Sequence, residues 1–172
     1  NNPVPQANSV TVIEGGSVDE NDLDVGANLL QGLTDTDTTD SHTVNTTPTV
    51  DTVNGTLTLF GDGTFDYLHD DSENLTDTFT YEAIDAGGNT ATATVTITVT
   101  ETNDNNPVPQ ANSVTVVEGS SVDETNLDTG SNLLQGLTDT DTTDSHTVNT
   151  TPTVDTVNGT LTLFGDGTFD YL

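Results

Sequence analysis

Residues 77–100 read DTFTYEAIDAGGNTATATVTITVT. In the second half, apolar residues at 91, 93, 95, 97 and 99 alternate with threonines, and successive side chains of a strand point to opposite faces of a sheet. The first half alternates in the same way, and a glycine-containing turn, Asp85–Asn89, separates the two. The stretch therefore predicts two antiparallel strands, 77–84 and 90–100, that share one buried face.

Shorter alternating runs lie upstream of this hairpin. They predict strands at 9–14, 42–50, 55–60 and 64–68, the last two joined by the tight turn Gly61-Asp62-Gly63. The acidic stretch 17–26 is predicted to be a loop, and leucines 29, 30 and 33 are predicted to fill the core. Roughly seven short strands in about 100 residues are typical of an all-β, immunoglobulin-like Greek-key β-sandwich.

The chain contains an internal repeat. Residues 1–68 recur at 105–172 with an offset of 104, and six of the 68 aligned pairs differ. We therefore expect tandem sandwiches: a first repeat at 1–104, including a linker at 101–106, and an incomplete second copy at 105–172. The second copy lacks counterparts of 77–84 and 90–100. We expect it to show open strand edges and an exposed core, unless the protein continues or a neighbouring molecule supplies the strands.

The charge is of one sign. The 172 residues include 29 Asp and Glu but no Lys or Arg, so the net charge is −29 and opposes compaction. This composition excludes a nucleic-acid partner, which requires basic side chains. No apolar run approaches the roughly 20 residues of a membrane span, so we expect no direct membrane insertion. The sequence shows no pairing of a nucleophile with a general base, so we do not expect an enzyme. A hard divalent cation with oxygen ligands would offset the charge.

The run Glu101-Thr102-Asn103-Asp104-Asn105 resembles the cadherin inter-domain motif DxNDN, with Glu in place of the first Asp. Together with NGTLTLFGDGTFDYL (54–68) and residues 77–100, it makes the unit similar to the cadherin-like tandem repeats of giant bacterial RTX-type adhesins, closest to the extender region of a bacterial ice-binding adhesin. The resemblance implies a secreted protein at the bacterial cell surface, with calcium at the domain junctions. It also implies neighbouring identical repeats as partners, and a ligand that is bound by another domain of the parent protein.

The resemblance also implies a ligand set. At the junction, the linker would act with Glu118 and the Asp139-x-Asp141 pair, which begins 35 residues after Asp104. In the first copy, Glu14, Asp35 and Asp37 are equivalent. For Asp40, and for Asp85 with Asn89, ordinary solvation or turn chemistry is the alternative. The full predicted set is Glu14, Asp35, Asp37, Asp40, Asp70, Asp71, Glu73, Asp85, Asn89, Glu101, Asn103, Asp104, Asn105, Glu118, Asp139 and Asp141.

Two functions follow from these observations. Near-identical copies favour a calcium-stabilised, rigid extender that projects an adhesive domain away from the cell. The alternative is an adhesion module that contacts ice or a glycan through its exposed threonines. Threonine is common on exposed strands, and a single twisted strand would offer only one rank of hydroxyls.

Overall fold

The computed structural model describes residues 1–172. The chain divides into two compact units, Asn1–Thr102 and Asn103–Leu172. The boundary expected from the sequence, after residue 104, lies two residues further along. Each unit is described by itself below.

The first unit is built from seven strands and one short 3₁₀ turn, Glu20–Asp22. The strands are β1 (Asn8–Ile13), β2 (Ser17–Asp19), β3 (His42–Val44), β4 (Gly55–Leu59), β5 (Phe65–His69), β6 (Thr76–Asp85) and β7 (Thr90–Thr100).

Two sheets form the layers of this unit. One has the strand order β1-β7-β6-β3 and the other β2-β5-β4. Strand β1 runs parallel to β7, with Asn8 opposite Val95 and Ile13 opposite Thr100. The other pairs are antiparallel, including the long β6–β7 hairpin. The all-β sandwich predicted from the sequence is confirmed.

The core lies between the two sheets. The apolar residues of β7 face inward and its threonines outward, as predicted. Phe65 from one sheet meets Phe79 from the other, with ring centroids 5.4 Å apart. The hydroxyl of Tyr81 donates to the carbonyls of Gln6 and Leu29, each at 2.9 Å. Burial raises the pKa of Tyr81 to about 12. Leu29 is fully buried, whereas Leu30 and Leu33 are half-buried.

Two segments differ from their predictions. Residues 17–26, predicted as a loop, contain β2 and the 3₁₀ turn, which Asp19 caps by accepting a hydrogen bond from the Asn21 amide. The strand predicted at 42–50 ends at Val44. The Asn45 side chain accepts from the Thr47 amide and turns the chain, and Pro48 has no amide to donate. After Asn45, backbone hydrogen bonds to β6 resume at Thr49 and at the isolated bridge between Val50 and Thr80.

The second unit contains three short strands: β8 (Val122–Asp123), β9 (Leu161–Leu163) and β10 (Phe169–Tyr171). They form one sheet in the order β8-β10-β9. No strand forms over residues 111–117, because the equivalent β1 pairs with β7 and this chain has no second β7. Val114 and Val116 are 37% and 38% exposed, against 3% for Val10 and Val12. The expected open core is observed.

One buried carboxylate connects the two sheets of the first unit. Asp77, on β6, is 6% exposed. It accepts hydrogen bonds from the amides of Val53, Asn54 and Thr78 at 2.8–3.1 Å. It also accepts one from the hydroxyl of Tyr67 on β5 at 3.0 Å, and burial followed by this bond raises the pKa of Tyr67. Four donors thus replace the water that a buried carboxylate would lose.

We expect Asp77→Asn to lower the free energy of unfolding by about 2–3 kcal/mol, because the new amide group faces donors that it cannot accept from. Urea unfolding in excess calcium measures this change. Asp51→Asn is the matched control, since Asp51 is exposed and caps only its neighbour Thr52. Equal, small effects of the two substitutions would contradict the assigned role.

Candidate metal sites at the ends of the first unit

The candidate ligands of the first unit lie at its two ends. Strand β7 begins beside the Asp85–Asn89 turn and ends beside Ile13, because Thr90 pairs with Ile84 and Thr100 with Ile13. Its eleven residues span about 35 Å. One ion therefore cannot contact both ends, and each end is described separately.

Asp85 closes the tight turn between β6 and β7. It is 5% exposed, and its carboxylate accepts from the Asn89 amide at 2.8 Å and from the Asn89 side chain at 2.7 Å. The Asn89 side chain, helped by the backbone amides of the turn, holds the pKa of Asp85 below its ordinary value. The carboxylate is therefore fixed and charged at neutral pH.

Asp35 and Asp40 meet Asp85 at this end. One carboxylate oxygen from each of the three lies within 4.8 Å of the others. Asp35 accepts from the Asp37 amide at 3.0 Å and from His42 Nε2 at 3.1 Å, and these bonds lower its pKa. We call these three residues the Asp85 cluster. Asp37 is not part of the cluster, although its backbone amide donates to Asp35.

His42 also lies at this end of the unit, beside Asp35, and the sequence did not predict this contact. A carboxylate only accepts hydrogen bonds, so His42 Nε2 donates to Asp35. The same pair recurs in the second unit, where His146 Nε2 lies 2.7 Å from Asp139. The constant spacing of seven residues between Asp and His was the available signal, but only the fold shows the contact.

The second unit repeats part of this arrangement. One potential metal-ligating atom from each of Asp139, Asp144 and His146 lies within 4.8 Å of the others. The hydrogen bond from His146 lowers the pKa of Asp139. The backbone and side chain of Asn105 both donate to Asp141, at 2.8 and 3.1 Å.

Two neighbouring linker residues, Asn103 and Asp104, also form hydrogen bonds within the second unit. Asn103 donates to Asp144. Asp104 is exposed and accepts from the Asn105 side chain at 3.1 Å. The linker residues of the second unit thus lie against its own Asp-x-Asp segment.

Glu14 marks the opposite end of the first unit. Its backbone amide donates to the Thr100 carbonyl at 3.0 Å, and its Oε2 accepts from the Thr102 amide at 2.8 Å. The side chain is 6% exposed, and its Oε1 is buried with no hydrogen-bond partner. The Thr102 hydroxyl is also buried without a partner. Unsatisfied buried oxygens are uncommon in proteins, and an ordered water or a bound ion is the usual partner of such an atom.

His69, the last residue of β5, is buried next to Gly15, the residue that follows Glu14. The Gly15 amide donates to His69 Nδ1 at 3.2 Å, so His69 Nε2 donates to the Asn74 carbonyl at 3.3 Å. Asp71 adopts a φ of 65°, unusual for a residue other than glycine, and its carboxylate lies against Gly15.

The remaining predicted residues of this end are Asp70, Glu73 and Glu101. The Ser72 hydroxyl and amide lower the pKa of Asp70. Glu73 and Glu101 are half-buried, in the same loop and directly after β7 respectively. Glu14, Asp71 and the residues at the end of β7 therefore belong to one end of the unit.

This geometry corrects one prediction. The sequence grouped Glu118 with Asp139 and Asp141, and equivalently Glu14 with Asp35 and Asp37. In the complete unit Glu14 lies at the end of β7 and Asp35 lies near its start, so they cannot share an ion. Thr102, the last residue of the first unit, donates to Glu14, whereas Glu118 is exposed. Each residue by itself stays a predicted ligand.

The donor set fits calcium. Calcium takes six to eight hard oxygen ligands, and both ends offer carboxylates, Asn or Thr oxygens and no sulfur. A cation at Glu14 would satisfy its partnerless Oε1, and the chain has no Lys or Arg that could do so. The Asp85 cluster, whose carboxylate oxygens converge, would hold an ion at one end. Glu14 would hold one at the other end, where Asp71 and Glu101 stay predicted ligands.

Comparison with known proteins identifies the domain. Residues 1–101 match the sequence profile of the bacterial cadherin-like domain.

The chain belongs to the bacterial cadherin-like domain family.

Members of this family are adhesion-related, extracellular modules that generally bind calcium, and the match indicates no enzyme family. No curated protein matches the chain. Among solved structures, the bacterial cadherin-like chain is similar to extracellular cadherin domains 3–6 of protocadherin gamma B2, with 20% identity and a TM-score of 0.40. That alignment covers 66% of this chain and 25% of the solved one. The structure contains no helix with the length and hydrophobicity needed to cross a bilayer.

We expect Glu14→Gln to weaken calcium binding at least about tenfold, because it removes a charged ligand oxygen. In chelator, the same variant should be at least as stable as the unchanged protein. The substitution removes a buried negative charge that lacks a full set of hydrogen-bond partners, and such a charge is destabilising. Isothermal calorimetry and thermal unfolding measure the two effects.

Glu118→Gln is the matched control for this experiment. It makes the same change at the equivalent position 104 residues later, where the side chain is exposed. We expect calcium affinity to be unchanged in this control. A loss of affinity in Glu118→Gln but not in Glu14→Gln would restore the grouping that the structure overturns.

Proposed function

We propose that this chain is part of a calcium-stabilised, rigid extender of a bacterial cell-surface adhesin. The observation that carries the proposal is the buried Oε1 of Glu14, without a partner, in a side chain that also holds the Thr102 amide. Thr102 directly precedes Asn103, Asp104 and Asn105, the linker residues. A cation bound to Glu14 would therefore act next to the linker.

Calcium would have two effects in this proposal. It would neutralise part of a charge of −29 that the chain cannot neutralise itself. It would also restrain the linker, since Glu14 fixes Thr102 on one side and Asp141 fixes Asn105 on the other. Restrained linkers would let the length of each repeat, about 35 Å along β7, add up along an array.

Near-identity of the copies supports an extender over a recognition module. The six differences among 68 aligned positions leave every predicted ligand of the first copy at 14, 35, 37 and 40 unchanged in the second. Neighbouring repeats would be the partners of each unit, and the target of the adhesin would be bound by another domain.

We expect calcium to narrow the distance distribution between spin labels at Thr58→Cys and Thr162→Cys, measured by pulsed electron resonance. The two positions are equivalent, exposed and in different units, and the chain has no other cysteine. Calcium should give a narrow distribution and chelator a broad one, because linker rotation is released.

The control pair is Thr58→Cys with Thr96→Cys, both in the first unit. A narrow control distribution in chelator would show that the unit stays folded while the linker loosens. If the distribution across the linker is equally broad with and without calcium, the rigid-extender function is wrong.

The alternative function, direct contact with ice or a glycan, has one observation in its favour. The threonines of β7 lie in register with other hydroxyl residues on both neighbouring strands, so the array has three ranks instead of one. Inhibition of ice growth, or glycan binding, by the unchanged chain and its loss in Thr96→Asp would support this alternative.

A further inference from the structure

The chain contains two Asn-Gly steps, Asn54-Gly55 and Asn158-Gly159, which occupy equivalent positions in the two units. Their sequence surroundings are the same, because residues 28–68 and 132–172 are identical. A difference in reactivity between the two steps therefore has to come from the structure around them.

An Asn-Gly step reacts without an enzyme or an oxidant. The glycine nitrogen loses its proton and attacks the side-chain Cγ atom of the asparagine, which closes a five-membered succinimide ring. The side-chain nitrogen leaves as ammonia and takes up that proton. Water then opens the ring to aspartate or isoaspartate. Glycine favours ring closure, because it has no Cβ and leaves the backbone free to adopt the required conformation.

The fold of the first unit requires this labile step. A Cβ atom at Gly55 would collide with the Tyr67 ring and with the Leu68 carbonyl, so no larger residue fits. The Asn54 carbonyl accepts from the Tyr67 hydroxyl at 3.1 Å and from the Asp70 amide at 3.0 Å. The turn into β4 is therefore built around the Asn-Gly step.

The start of β6 holds Asn54 in place. The Asn54 side-chain amide donates to the Thr76 carbonyl at 3.0 Å, and its backbone amide donates to the Asp77 carboxylate at 2.9 Å. The amide of Val53 donates to the same carboxylate at 3.1 Å. Ring closure requires Asn54 to rotate about its side-chain and backbone bonds, and these hydrogen bonds oppose that rotation.

The second unit keeps the turn but not these contacts. It forms no strand equivalent to β6, and Asn158 is exposed, whereas Asn54 is half-buried. The Thr156 hydroxyl still donates to the Gly159 carbonyl at 2.8 Å, the same bond as in the first unit. The two steps thus differ chiefly in the bonds that β6 supplies.

We propose that Asn158-Gly159 is a site of spontaneous deamidation, and that β6 protects the identical step at Asn54. Each event adds one negative charge to a chain that already carries −29. Isoaspartate also inserts an extra carbon into the main chain just before β9. At Asn54, a carboxylate could not donate to the Thr76 carbonyl, so a first unit that reacted while open would not regain all of its bonds. Deamidation at this position therefore records opening of the unit.

Mass spectrometry of the unchanged chain tests the proposal. The folded chain is incubated in calcium at mildly alkaline pH and digested with a protease that cleaves after glutamate. Asn54 and Asn158 then lie in different fragments, residues 21–73 and 125–172. We expect Asn158 to react at least about tenfold faster than Asn54, because Asn54 reacts only through local opening. In concentrated urea the two rates should become equal. Equal rates in the folded chain, or a difference that persists in urea, would overturn the proposal.

Asp77→Asn tests whether β6 supplies the protection. It removes the acceptor of the Val53 and Asn54 amides, so we expect the Asn54 rate to rise at least about threefold and the Asn158 rate to stay the same. Asp51→Asn, exposed in the same loop, is the matched control and should change neither rate. Circular dichroism checks that both variants are folded. An unchanged Asn54 rate in folded Asp77→Asn would contradict protection by β6. If Asp77→Asn unfolds, the folded and urea rates of the unchanged chain decide.

Discussion

Negative charge without an internal counter-charge is the constraint on which the rest of this structure depends. Because the chain has no Lys or Arg, every carboxylate must lie in solvent, accept hydrogen bonds from neutral donors, or bind an external cation. Asp77 shows the second solution inside the sandwich, with four donors around one carboxylate. Glu14 shows where neutral donors are insufficient, since one of its two buried oxygens has no partner. The unsatisfied oxygen lies at the end of the unit, next to the linker.

The sheets determine where the charge accumulates. Long alternating strands give the core its apolar side chains and leave threonine outside, so β6 and β7 carry few carboxylates in their middle portions. The acidic residues are therefore concentrated in the turns and loops at the ends, where Asp35, Asp40 and Asp85 converge. The same division places threonines on the outer side of β6 and β7, and the Asp19–Asp66 pair on the outer side of the other sheet. The candidate cation ligands thus lie at the ends of the unit.

Sequence reasoning succeeded where a pattern was long and local. Strand β7 has the bounds predicted for it, because eleven alternating residues leave one register. The sequence did not predict strand β2, because Val18 is the only apolar residue in it and one residue shows no alternation. The resemblance to the cadherin linker motif supplied the candidate ligands, but their grouping depends on which end of β7 each loop reaches. The spacing between Glu118 and Asp139 cannot show this. The pairing of His42 with Asp35, and the three ranks of hydroxyls, likewise depend on contacts across strands that are distant in sequence.

The measurement that tests the central claim most directly compares calcium with plain ionic strength. Urea unfolding of the chain, followed by circular dichroism, is recorded in about 1 mM calcium chloride and in sodium chloride of equal ionic strength. If carboxylates at the unit ends bind the cation, calcium should raise the unfolding midpoint well above the sodium value, because binding to the folded state adds stability that screening does not. Equal midpoints in the two salts would show that charge screening is sufficient. The account of the unit ends as cation sites would then be wrong.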